Sequence, residues 1–108
     1  LKDRREFLSP GLITYYKEPL MLVDGWMQYL FDETGRRYLD LFAGIVSVSC
    51  GHSHPKIIKR VQDQVARLCH TTTIYVHPNV AELGRKLASK LPGDLKVAYF
   101  VNSGSEAN

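Results

Sequence analysis

The chain has 108 residues, 44% hydrophobic and 23% charged, with 8 Gly, 5 Pro and 2 Cys. That is the composition of about one modest globular domain, and it excludes a disordered, collagen-like or disulfide-stapled protein. Fourteen Lys+Arg against eleven Asp+Glu give +3, an excess too slight and too evenly spread to mark a nucleic-acid partner, and no run approaches the roughly 18 apolar residues of a membrane span.

The chain opens at Leu1, not Met, on the charged run Lys2-Asp3-Arg4-Arg5-Glu6. These residues read neither as a basic-then-apolar signal peptide nor as an Arg/Ser-rich transit segment. Residues Leu1 to about Leu8 predict a short amphipathic helix stopped by Ser9-Pro10-Gly11. Leu12 to Glu18 is expected to be irregular. Leu20–Val23 predicts a strand, Asp24-Gly25 a two-residue hairpin turn, and Trp26–Phe31 the return strand. Asp32-Glu33-Thr34-Gly35 turns again into a third strand over Arg36–Leu41. The product is a small antiparallel meander, which needs something to pack on. Phe42–His52, rich in small and β-branched residues, suits a short strand or a loop.

Two helices follow. From about Pro55 to His70, Ile57, Ile58, Val61, Val65, Leu68 and Cys69 recur at spacings of three and four, which is one helix face. Ser53 is the expected N-cap and Pro55 suits the first turn. From about Pro78 to Leu91, Val80, Leu83, Leu87 and Leu91 share a side, and Pro92-Gly93-Asp94 ends the run. Val97-Ala98-Tyr99-Phe100-Val101 then predicts a buried strand that runs into Asn102–Asn108. A strand, a Gly turn and a helix start with no helix after them lead us to expect a fragment.

That last turn is the most informative stretch. A strand passing through Ser103-Gly104-Ser105 into a helix aims backbone N–H groups outward without helical partners. The helix dipole adds positive potential, the hydroxyls can donate, and Gly104 lets the backbone come close. The expectation is an anion site, with phosphate the natural occupant. The alternative is an ordinary capped helix start with Ser103 or Ser105 as N-cap. Neither G-x-G-x-x-G nor G-x-x-x-x-G-K-[ST] occurs, so dinucleotide and P-loop readings lack their required residues.

Cys50-Gly51-His52-Ser53-His54-Pro55 raises a metal, but the spacing matches no usual zinc pattern. The plainer reading is a tight turn before a helix, with Gly51 for conformation and a histidine bonded to backbone. Tyr15, Tyr16, Trp26, Tyr29, Phe31 and Tyr38 interleave with Lys17, Arg36 and Arg37. A single-strand nucleic-acid surface can look like this; a half-buried aromatic meander looks like it more often. No metal and no nucleic acid is expected. Two cysteines point to a reducing compartment by default.

Taken in order, Asp32-x-x-Gly35-x-x-Tyr38-Leu39-Asp40, Gly44-Ile45, Gly51-His52-x-His54-Pro55 and Val101-Asn102-Ser103-Gly104-Ser105-Glu106-Ala107-Asn108 resemble the N-terminal quarter of the class III (omega) aminotransferases. The resemblance runs from about Tyr15 to Asn108. Leu8-Ser9-Pro10, Lys17-x-Pro19-Leu20, His70-Thr71-x-Thr73, His77-Pro78 and Leu95-Lys96-Val97 further resemble a mitochondrial branch that passes nitrogen from alanine to glyoxylate.

The resemblance implies an α/β fold, the N-terminal part of a fold type I transferase that uses pyridoxal 5′-phosphate. It implies a small-domain segment over residues 1–70 with meander and helix, and over 71–108 the start of a large cofactor-binding domain with its first sheet strand. Ser103, Gly104 and Ser105 would hold the cofactor's phosphate, in agreement with the anion site. Ile45, with Tyr15 or Tyr16, would line the substrate pocket, and Gly51 and His52 would be structural. In the family, the cofactor-bearing lysine, the acidic partner of the pyridine nitrogen and the carboxylate-binding arginine lie far beyond the position of Asn108. The chain alone is therefore expected to be inactive. Relatives work as homodimers on small amino acid and oxo acid substrates, and a mitochondrial location follows by resemblance only. The competing expectation is a self-contained small phosphate- or nucleotide-binding module without catalysis.

Overall fold

Charged residues with good helix propensity open the chain, and in the computed structural model, which describes residues 2–108, they form α1 over Lys2–Phe7. The Leu1 end of that expected helix lies outside the described residues. Leu8 N–H still donates to the Arg4 carbonyl, and the Arg4 guanidinium donates to the Leu12 carbonyl at 2.6 Å, so the Ser9-Pro10-Gly11 break folds back on the helix. The chain divides into two compact units, Leu1–Arg67 and Leu68–Asn108.

The first unit carries the meander. β1 (Leu22–Trp26), β2 (Tyr29–Asp32) and β3 (Arg37–Leu39) pair antiparallel in the order β1-β2-β3. Trp26 faces Tyr29 and Gly25 faces Leu30, with an irregularity between Leu22 and Asp24; Leu30 faces Tyr38 across the second pair. The turn between β1 and β2 is therefore Met27-Gln28, with Met27 at φ 51°, and not Asp24-Gly25, which lie inside β1. The glycine serves close packing: a Cβ on Gly25 would lie 2.9 Å from the His52 Cβ. The Asp32–Gly35 turn is where expected, Gly35 taking φ +82° and donating its N–H to the Asp32 carbonyl.

After β3, residues Ala43–Val46 form a single turn, α2, in which Ala43, Gly44, Ile45 and Val46 take φ of 50°, 58°, 59° and 56°. This is left-handed backbone, neither strand nor simple loop. α3 follows over Pro55–Arg67. Its cap differs from expectation: Ser53 sits at φ 50°, whereas the His54 carbonyl accepts from Ile57 and Ile58 and so begins the helix. Pro55 occupies the first helical position.

In the second unit α4 runs Pro78–Ala88, with His77 as N-cap accepting from Asn79 N–H and Lys86 paired to Glu82 one turn earlier at 2.7 Å. α5 is a short turn, Gly104–Ala107. Val97–Val101 is not a strand here. A strand consists of bonds to a neighbour, and none of the described residues pairs with this segment. The same lack of cover holds for the helices. Ile57, Ile58, Val61 and Val65 on α3 and Val80, Leu83 and Leu87 on α4 are all exposed, and among the described residues no apolar side chain is buried. The predicted periodicity is present, yet the faces it marks are bare.

Candidate functional site

The candidate residues fall in separate units, and each group stands by itself. In the second unit, Ser103 is extended (φ −148°, ψ 157°) and caps α5. Its hydroxyl accepts from Glu106 N–H at 3.2 Å and donates to Glu106 Oε2 at 2.9 Å, and that same carboxylate oxygen accepts from Asn102 N–H at 3.0 Å. This is a variant of the capping box: the Ser103 hydroxyl takes the Glu106 N–H, while the Glu106 carboxylate reaches back past the N-cap to the Asn102 N–H. Gly104 and Ser105 are the first helical residues, so their N–H groups have no carbonyl one turn back in the helix. A Cβ built on Gly104 meets nothing within 4 Å, which leaves the approach to those amides open.

The structure thus brings Ser103, Gly104 and Ser105 together on one turn. Two amides and the Ser105 hydroxyl are hard donors of the kind a phosphate monoester takes, and in this sense the residues fit such a group. Glu106 is the countervailing feature. Its carboxylate engages the Ser103 hydroxyl and puts negative charge on the same turn. Of the two N-cap candidates, Ser103 is the one the structure selects.

In the first unit, Tyr15 and Tyr16 are exposed on the irregular segment before β1, their rings edge to face with centroids 6.0 Å apart. Ile45 lies on α2, also exposed. What holds this unit's backbone is a pair of aspartates that the sequence showed only as motif letters. Asp32, the one buried residue among those described, accepts at Oδ1 from Thr34 N–H (2.9 Å), Thr34 Oγ1 (2.7 Å) and Arg36 N–H (3.0 Å), and at Oδ2 from the Tyr38 hydroxyl (2.8 Å). The Thr34 hydroxyl first, then Tyr38, hold its carboxyl down at about 2. The same bond to Asp32 pushes the Tyr38 hydroxyl above its ordinary value.

Asp40 does the corresponding work after β3. Its Oδ1 accepts from Phe42 N–H (2.8 Å) and Ala43 N–H (3.0 Å), and its Oδ2 pairs with His52 Nε2 at 2.6 Å. The bond to His52, followed by the backbone donors, lowers the Asp40 carboxyl. The His52 backbone exchanges two 2.7 Å bonds with Met27. Gly51, at φ +95°, lies so close that a Cβ would be 3.0 Å from the Met27 Cα. The ring of His52 therefore bonds a carboxylate and not the backbone. Cys50 is exposed, and among the described residues no three His, Cys, Asp or Glu side chains gather to hold a metal. Of the aromatic meander, Arg37 stacks over Tyr29 at 4.5 Å and Arg36 over Tyr38 at 5.3 Å, so these cations and rings satisfy one another. The spacing Asp32-x-x-Gly35-x-x-Tyr38-x-Asp40 was the signal for this network: one carboxylate closing a turn, its phenol partner two residues before the next carboxylate.

Residues 16–108 match the sequence profile of the family described as aminotransferase class-III. The chain is 57% identical over all 108 residues to the mitochondrial alanine–glyoxylate aminotransferase 2 homolog 2 of Arabidopsis thaliana, covering 23% of that protein. Among solved structures, it superposes with TM-score 0.88 on a phospholyase from Arthrobacter in complex with phosphoethanolamine, at 31% identity over 98% of this chain and 24% of that one. An ornithine aminotransferase from Toxoplasma gondii, whose structure has partial occupancy of PLP at the active site, matches 82% of this chain and 20% of its own at 26% identity and TM-score 0.69. The chain spans between 21% and 23% of the length of the first curated relatives it matches. The fold is the N-terminal part of a fold type I transferase of the PLP-dependent kind. Through the profile match over residues 16–108 and 57% identity over all 108 residues to an alanine–glyoxylate aminotransferase, the chain belongs to the class-III aminotransferase family.

Proposed function

We propose that these residues serve a pyridoxal-phosphate-dependent aminotransferase that moves an amino group from an amino acid such as alanine to an oxo acid such as glyoxylate. The observation that carries the reading is 57% identity along the whole chain to an alanine–glyoxylate aminotransferase. That relative is named mitochondrial, and we assign the same location by resemblance. Residues 1–70 form a small-domain segment and residues 71–108 the start of the cofactor-binding domain; the working protein is a homodimer or larger.

When bound, the cofactor supplies an electron sink for the bond changes at the substrate's Cα. This chain's part is binding and orientation. The Gly104 and Ser105 amides, with the Ser103 and Ser105 hydroxyls, would hold the cofactor's phosphate. Tyr15, Tyr16 and Ile45 wall the substrate pocket, exclude water and limit the size of the substrate side chain. The lysine that carries the cofactor, the acid facing its ring nitrogen and the arginine for the substrate carboxylate come from other parts of the protein, so the 108 residues do not catalyse alone. A self-contained phosphate-binding module accounts less well for the molecule: such a module buries its own core, and no described apolar side chain is buried.

The test is the whole protein with alanine and glyoxylate, following pyruvate and glycine. Transfer in both half-reactions is expected. Release of inorganic phosphate from phosphoethanolamine with no amino transfer would overturn the reading in favour of the chemistry named for the Arthrobacter neighbour.

A further inference from the structure

The geometry around α2 points to a role for two residues outside any direct contact with substrate: we propose that Asp40 and His52 are positioning residues that fix the left-handed turn carrying Ile45, and thereby set how bulky an amino donor the enzyme accepts. The inference deepens the reading above and rests on its assignment of Ile45 to the pocket wall.

α2 hangs between two anchored points. On the entering side, Asp40 N–H donates to the Gln28 carbonyl at 2.9 Å, and the Asp40 carboxylate takes the N–H groups of Phe42 and Ala43. On the leaving side, the His52 backbone is bonded both ways to Met27, and Gly51 N–H donates to the Val48 carbonyl at 2.9 Å. The Asp40 Oδ2 to His52 Nε2 contact joins these two points across the neck of the loop. It is sheltered, the Asp40 side chain being 7% exposed and that of His52 20%. Met27 and Gln28 form one turn of the meander, so both anchors rest on the same rigid hairpin end.

Between the anchors, Ala43, Ile45 and Val46 sit at positive φ. L-residues leave that region unless the surroundings hold them there, and such backbone collects where presentation of a side chain matters. The side chains presented are apolar and bare, Ile45 being 75% exposed and Val46 77%. If the neck opens, the turn relaxes to ordinary φ and Ile45 leaves its place, while the Ser103-Gly104-Ser105 turn keeps its own local bonds. Opening the neck therefore alters the preference among donors and not the hold on the cofactor's phosphate.

The experiment measures kcat/KM for alanine, valine and leucine in the cofactor-loaded whole protein, for the parent, Ile45→Ala, His52→Ala, His52→Gln and Asp40→Asn. We expect Ile45→Ala and His52→Ala to shift the alanine-to-leucine preference toward leucine by about tenfold, the scale on which a hydrophobic wall discriminates. His52→Gln, whose amide still donates to Asp40, should keep the parent's preference, and Asp40→Asn should shift it in the direction of His52→Ala. Cofactor absorption and cofactor affinity should be the parent's in all four. Equal loss on every donor in His52→Ala, or His52→Gln behaving as His52→Ala, overturns the positioning role while leaving the wall intact. An unchanged preference in Ile45→Ala removes the wall itself and this inference with it. If His52→Ala does not fold, Asp40→Asn decides: a parent-like preference overturns the proposal.

Discussion

The unit Leu1–Arg67 and the unit Leu68–Asn108 are built in different ways. In the first, carboxylates reach back to the chain itself: Asp32 closes the β2–β3 turn, Asp40 holds the entry to α2, and backbone bonds tie His52 to Met27. In the second, order is local, the helix α4 with its His77 cap and the single turn of α5 with its Ser103–Glu106 contacts, while Val97–Val101 has no strand partner among the described residues. Structure written as side chain to nearby backbone needs no neighbour. Structure written as a buried strand or an apolar stripe does. Both units leave their apolar faces bare among the described residues, but only the second lacks a strand that its sequence predicts, Val97–Val101.

The sharpest way to break that contrast is hydrogen exchange. A strand inside a large sheet opens only with much of the protein, whereas an unpaired segment exchanges freely. In the whole protein the amides of residues 97–101 should exchange slower than in the 108-residue chain by at least on the order of a thousandfold. Those of Met27, Gly35 and His52 should differ far less. Equal exchange of 97–101 in both would mean that this segment is not a sheet strand in any context.

Substitution of Gly51 comes next. At φ +95° with the Met27 backbone 3.0 Å from a Cβ, Gly51→Ala combines an unfavourable backbone with a collision, and should cost the whole protein about 3 kcal/mol in denaturant unfolding. Gly35→Ala is the control. Gly35 has φ +82° but nothing within 4 Å, so it should cost about 1 kcal/mol. Matching costs would show that the approach of Gly51 to Met27 is not what fixes the loop.

These glycines also show what could be read in the sequence and what could not. Periodicity located α3 and α4 to within a few residues, because helix faces repeat locally. The Asp32–Gly35 turn was legible because its residues make the turn themselves. Asp24-Gly25 misled, since Gly25 is small for the sake of His52, a residue far along the chain; no local pattern holds that fact. Ser53 misled for a similar reason: its left-handed φ moves the cap to His54. At the candidate site, Ser103-Gly104-Ser105 was legible as a helix start with outward donors; the Glu106 carboxylate that closes onto Ser103 was not read, although Ser and Glu three residues apart are a signal for it. The Asp40–His52 pair was not, because the two residues meet only through the meander.

Asp32 gives the comparison a pH axis. Its carboxyl is held at about 2 in the folded chain against an ordinary 3.8, through the Thr34 and Tyr38 hydroxyls and backbone N–H groups. A lowered carboxylate stabilises the fold fully above its unfolded value, and that contribution disappears as pH falls from about 4 toward about 2. A carboxyl-carbon NMR titration should therefore place the Asp32 midpoint near 2, with the Thr34 amide following it. Tyr38→Phe should raise the midpoint partway, as it removes one of the two hydroxyl donors. A midpoint near 4 in the parent would show that the carboxylate does not close the turn.

The smallest effect separates the two uses of the last turn. Ser103→Ala removes an N-cap whose hydroxyl also holds Glu106, which should cost about 1 kcal/mol locally. Freed of the hydroxyl, Glu106 leaves the turn more readily, so part of the lost donor is offset in binding by lost repulsion. Ser105→Ala leaves the cap untouched and removes a hydroxyl that only a bound anion would use. If the turn holds the cofactor's phosphate, Ser105→Ala should weaken cofactor affinity more than Ser103→Ala, by roughly tenfold for a charge-assisted bond, and should leave stability without cofactor unchanged. If instead the turn is only a helix start, Ser103→Ala should destabilise and Ser105→Ala should change neither quantity. Affinity and unfolding measured on the same two variants decide between those patterns, because the cap lies within the chain and the phosphate donors act only on what is bound.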